Sequence, residues 1–92
     1  MKHIKIHVHG RVHGVFFRDS ALRKANELGI TGFARNDLDG SVYIEAEGEE
    51  AALGEFVNWC NDGPPMAEVR EVETEEDSEL HKFKGFRIEG ES

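Results

Sequence analysis

Twice along this 92-residue chain the apolar period changes from two to that of a helix and back, and this double switch is the tightest constraint on its fold. Residues 3–9 set Ile4, Ile6 and Val8 against His3, Lys5, His7 and His9, the pattern of a strand covered on one face. The stretch 18–28 follows with Phe17, Ala21, Ala25 and Leu28 at helical spacing and Gly29 placed for a left-handed C-cap. Residues 32–36 read as a short strand and DLDG at 37–40 as a turn. The alternation resumes over 41–47, with Val42, Ile44 and Ala46 opposite Tyr43, Glu45 and Glu47, which completes a hairpin. A second helix begins near Glu49 and Glu50, whose charges suit a helix N-terminus. It carries Leu53, Phe56, Val57 and Cys60 on one stripe until Gly63-Pro64-Pro65 ends it. Cys60 on that stripe is a small core residue.

A fourth strand is expected within 66–75, but Val69 and Val72 fall out of phase, so the pattern demands a bulge or a shifted boundary. The polar run TEEDSELHK at 74–82 reads as a loop. Phe86 and Ile88 alternate in a last strand, and 89–92 form a frayed tail. There is no repeat and no linker, so 1–92 is expected to be a single domain. The order β-α-β-β-α-β with one-faced strands predicts an antiparallel sheet with two helices packed on one face, because right-handed crossovers in both split β-α-β units place them there. This is the α+β sandwich called ferredoxin-like, a scaffold that serves many functions and names none.

Composition narrows the classes. No stretch approaches the ~20 apolar residues that a membrane-spanning helix needs. The opening MKHIKIHVHG lacks the apolar block of a signal peptide, which makes the cytoplasm the expected location. One cysteine forms no internal disulfide and no thiolate zinc site. With 11 basic and 19 acidic residues the net charge is −8, which argues against a broad nucleic-acid surface. The charge is nonetheless polarised. Residues 1–36 hold seven Lys and Arg against two acids, a net +5, while 37–92 hold four against seventeen, a net −13. Such polarity focuses a small anion onto one region of an otherwise acidic protein.

The segment suited to that anion is Gly10-Arg11-Val12-His13-Gly14-Val15-Phe16-Phe17-Arg18, a strand-to-helix connection. Glycines let the backbone curl so that successive N–H groups converge, the helix start adds partial positive charge, and the guanidinium of Arg18 can grip two phosphate oxygens at once. The spacing GxxxG with no following Lys-Ser or Lys-Thr excludes a Walker loop, and GxGxxG is absent. His7 and His9 stand about 6.6–6.8 Å apart along a strand, a span a metal could bridge, but without a third ligand they read as the polar face of the sheet, and no metal site is assigned.

GRVHGVFFR followed by ALRKANELGITGFARNDLDGSV resembles the signature of acylphosphatases, and the likeness extends to Phe86-Arg87-Ile88 and so over nearly the whole chain. The resemblance implies metal-independent and cofactor-free hydrolysis of the carboxyl–phosphate anhydride of a small-molecule acyl phosphate, with Arg18 binding phosphate and Asn36 positioning water. The acidic balance argues against a nucleic-acid partner, and nothing in the sequence demands a second subunit, so a monomer is expected. His13 stands where the family commonly has glutamine, and Phe33 where it often has tryptophan. Asp37 and Asp39 belong to the turn. Two other readings compete. The loop could bind phosphate without turnover, or Lys84-Gly85-Phe86-Arg87-Ile88 could be an RNA-recognition strand. The latter has the wrong position and sits in an acidic half.

Overall fold

The computed structural model describes residues 1–90. Its elements are β1 (Lys2–Arg11), α1 (Phe17–Leu28), β2 (Thr31–Asn36), β3 (Val42–Gly48), α2 (Glu50–Asp62), β4 (Glu68–Asp77) and β5 (Phe86–Glu89). The strands form one five-stranded sheet in the order β4-β1-β3-β2-β5. Four strands pair antiparallel, and β5 adds to β2 in parallel. The sheet is therefore mixed at one edge, since β5 returns from the far end of the molecule along a run that β4 has already carried down the opposite edge.

Both helices bury their apolar stripes against the sheet. Phe17, Ala21 and Ala25 of α1 and Leu53, Phe56 and Cys60 of α2 join Ile6, Val8, Val42, Ile44 and Ala46 in one core. Gly29 ends α1 in the left-handed region, and the next amide, that of Ile30, donates to the Ala25 carbonyl at 2.8 Å. Burial pushes the Cys60 thiol pKa up, which leaves it an inert core group.

β4 contains the irregularity its phase requires. His9 pairs with Glu71 but Gly10 with Val69, so Arg70 is the extra residue of a bulge, and Val69 and Val72 both pack on the core. The strand also continues to Asp77. Residues 74–77, expected as loop, pair instead with His3 to Ile6 of β1, and their polarity is that of an edge strand. Glu89 likewise belongs to β5, so the closing tail is shorter than 89–92, and 91–92 lie outside the described residues.

The face away from the helices is not simply solvated. His3 is fully buried, with Nδ1 2.6 Å from Glu47 Oε2 and Nε2 2.8 Å from Glu45 Oε1. His81 and Phe83 pack over its ring. Tyr43 is also buried; its hydroxyl donates to Glu45 Oε2 at 2.6 Å and Arg35 covers its ring at 4.5 Å. Burial and the neighbouring carboxylate together push the phenol pKa up.

Candidate active site

Three apolar side chains fix the turn between β1 and α1. Val12, Val15 and Phe17 are each at most 3% exposed, and Phe17 packs on Trp59 with ring centroids 5.2 Å apart. The residues between them, His13, Gly14 and Phe16, are consequently held outside. Gly14 (φ 72°) and Phe16 (φ 64°) both adopt the left-handed conformation. That conformation is unusual for a bulky residue, and strain of order 1–3 kcal/mol persists only where the surrounding packing imposes it. Two left-handed residues in three curl the chain tightly into the first turn of α1. Among the described residues no backbone carbonyl accepts the amides of 13–19, and no side chain caps the helix.

This turn forms the wall of a cavity of about 320 Å³ lined by Val12, Gly14, Phe16, Phe17, Arg18, Asp19, Asn36 and Ile88. Arg18, second residue of α1, is half-buried, and its Nη1 donates to the Glu89 carbonyl at 3.4 Å, which braces the guanidinium against β5. Asn36 ends β2 and pairs with Val42, which in turn pairs with Val8, so it projects on the helix side of the sheet. Residues from three parts of the chain thereby meet: unpartnered amides and a helix start, a guanidinium, and a carboxamide that both donates and accepts hydrogen bonds.

Not every residue of the 10–18 segment reaches the cavity. Gly10 and Arg11, read from sequence as loop, are the last residues of β1 and pair with Val69 and Glu68. Val15 is turned into the core. His13 is exposed and reaches the residue before β3, its Nε2–H donating to the Ser41 carbonyl at 2.8 Å. Ser41 is itself held by Asp39, whose Oδ1 accepts both the Ser41 hydroxyl at 2.6 Å and its amide at 2.9 Å. Those two bonds hold the Asp39 carboxyl below its ordinary pKa. Asp37 accepts from Arg35 Nε at 2.9 Å. Asp19 and Ile88 also line the cavity, though the sequence marks neither as a site residue and places Ile88 only in the last strand. Asp19 lies one residue beyond Arg18, and Ile88 arrives only through the parallel pairing of β5, for which the sequence carries no local signal.

Groups of metal-ligand type come together elsewhere. His3, Asp77 and His81 bring ligand atoms within 4.8 Å of one another on the opposite face, where both nitrogens of His3 already face carboxylates.

Fold and cavity together define a class, a ferredoxin-like α+β sandwich with a small pocket at its first strand-to-helix turn that holds one arginine and a set of free amides. Comparison with known proteins makes it particular. The acylphosphatase family profile matches residues 4–88. An acylphosphatase of Rubrobacter xylanophilus is 46% identical over 95% of this chain and 79% of its own, and one of Methylococcus capsulatus is 42% identical over 96% of each. The crystal structure of acylphosphatase from Bacillus subtilis superposes with a TM-score of 0.95 at 36% identity, covering 98% of this chain and all of that one. The chain belongs to the acylphosphatase family and is an enzyme with acylphosphatase activity.

Proposed function

We propose that the enzyme, acting as one domain, hydrolyses the carboxyl–phosphate anhydride of small acyl phosphates without a metal or cofactor. The amides of the turn from Val12 to Phe17 and the Arg18 guanidinium hold the phosphoryl group, and Asn36 positions the attacking water. The water oxygen bonds to phosphorus while the bond from phosphorus to the acyl oxygen breaks, giving inorganic phosphate and a carboxylate. Phosphoryl transfer passes through a loose transition state, so positioning and charge stabilisation of the equatorial oxygens are the main requirements. The leaving carboxylate is the base of an acid with a pKa of about 4 and departs without a proton, so no strong general acid is needed. A carboxamide suffices to hold water in line because it need not take a proton early. Gly10, Arg11, His13 and Val15 act indirectly in this reading, by fixing the ends and the floor of the turn.

The observation that carries the proposal is that Arg18 and Asn36, from different elements, line one cavity with the strained turn. The test is release of phosphate from benzoyl phosphate in the presence of a chelator. Wild type turns over. Arg18→Ala loses about 100-fold or more in kcat/KM, the usual cost of one preorganised charge-stabilising donor. Asn36→Ala loses turnover with phosphate inhibition retained, since the turn and guanidinium remain. Equal rates for wild type and Arg18→Ala overturn the assignment, and loss of phosphate inhibition in Asn36→Ala moves Asn36 to the binding site or the scaffold. The proposed setting is a monomer in a reducing cytoplasm with no nucleic-acid partner, supported by a lone buried thiol and the acidic surface. Size-exclusion chromatography at working concentration tests the monomer.

A further inference from the structure

A second cavity, of about 370 Å³, lies beside the first, and Phe16 and Asp19 line both. We propose that it receives the acyl group of the substrate and selects acyl phosphates whose acyl group is apolar and about the size of an aromatic ring. The inference rests on the reading that the turn and Arg18 hold the phosphoryl group.

In an acyl phosphate a single oxygen joins phosphorus to the carbonyl carbon, so a phosphoryl group seated in the first cavity leaves its acyl group only a few ångströms away. Phe16 is the wall on that path. Its left-handed backbone turns the ring outward, where it is 67% exposed. On the far side of the second cavity stand Pro64, Pro65 and Met66, the last 58% exposed. Two large apolar side chains held out to water around one groove are unfavourable in the empty protein, and covering them with an apolar ring releases that water. The walls are also stiff. Pro64 is buried, its carbonyl accepts the Ala67 amide at 3.0 Å, and the paired prolines restrict the backbone, so little ordering is lost on binding. Asp19, Ser20 and Arg23 supply the polar part of the lining. Met66 takes no part in holding phosphate and can be changed without touching that machinery.

The test compares kcat/KM for benzoyl phosphate and acetyl phosphate in wild type, Met66→Ser and Met66→Leu. The acetyl group, with a methyl where benzoyl carries a ring, offers the groove little apolar surface and serves as the internal reference. Taking the ratio between the two substrates across variants cancels their different intrinsic reactivities. In Met66→Ser the benzoyl-to-acetyl ratio is expected to fall about tenfold, a typical discrimination for one apolar contact, with acetyl phosphate turnover unchanged. Met66→Leu keeps the wild-type ratio. An unchanged ratio in Met66→Ser, or an equal fall for both substrates, overturns the acyl subsite while leaving the phosphate site standing. If wild type hydrolyses neither compound, the proposed reaction falls and the subsite with it.

Discussion

Gly10 and Gly14 are both glycines of the same short segment, yet their surroundings give them different work. A Cβ on Gly10, at φ +134°, would lie 2.1 Å from the Glu68 carbonyl oxygen and 2.8 Å from the Arg70 amide, inside the paired backbones at the bulge. Gly14, at φ +72°, has open space around it and lines the cavity. Gly10→Ala is therefore expected to destabilise the fold by about 3 kcal/mol, from strain plus displaced strand pairing, with phosphate affinity of the folded protein kept. Gly14→Ala is expected to cost only about 1 kcal/mol in backbone strain but to weaken phosphate binding by crowding the cavity. Urea denaturation and phosphate inhibition of the two variants separate these effects, and a stable Gly10→Ala protein that no longer binds phosphate would return Gly10 to the binding turn. Spacing reads both glycines as flexible backbone suited to an anion, and it does not show what lies against either of them. His3 escaped for the same reason: alternation set it on the polar face, whereas the residues that bury it, His81 and Phe83, arrive from a segment far along the chain.

At the scale of elements, what was legible is what local periodicity encodes. Both helices, their glycine ends and the β2–β3 hairpin stand close to where the apolar spacing put them. β4 was read only in part, because the Arg70 bulge breaks the phase and its outer half is a charged edge. The polarity of the run after it reads as free loop, but β3 ties it down through Glu47. That carboxylate, buried, faces the His3 ring and accepts the amides of His81 and Lys82, the latter at 2.9 Å. Burial alone would raise its pKa from the ordinary 4.5, but the His81 amide, the His3 ring and the Lys82 and Phe83 amides together prevail and lower it. A carboxyl depressed in the folded state contributes stability that is present above its unfolded value and lost as pH falls through the folded one. Glu47→Gln is accordingly expected to destabilise the protein by about 3 kcal/mol at neutral pH, the cost of breaking a buried hydrogen-bonded charge, with the gap to wild type closing below about pH 4. Thermal melts of both proteins across pH 3–7 measure that gap, and a difference that is constant with pH would assign Glu47 a packing role only.

For the whole molecule, the net charge of −8 conceals the feature that bears on function. Much of the basic N-terminal third is taken up in ion pairs, Lys2 with Glu50 and Glu76, Lys5 with Asp77, Lys24 with Glu27 and Arg35 with Asp37, so that Arg18 is the cation that lines the cavity while acidic residues crowd β4. The cavity joins residues of β5, β2 and the β1–α1 turn, so an anion seated in it ties together segments that separate on unfolding. Binding restricted to the folded state must then raise global stability by mass action, by about 2.7 kcal/mol when phosphate stands at 100 times its dissociation constant. For a chain of this length that gain corresponds to a rise in Tm of at least about 10 °C. Arg18→Ala, with the guanidinium gone and the turn left in place, is expected to melt at nearly the same temperature with and without phosphate. Sodium chloride of equal ionic strength controls for general salt effects on the surface charge, because an unspecific ion shifts wild type and Arg18→Ala alike. A phosphate-dependent rise of equal size in the two proteins would place the anion outside this cavity.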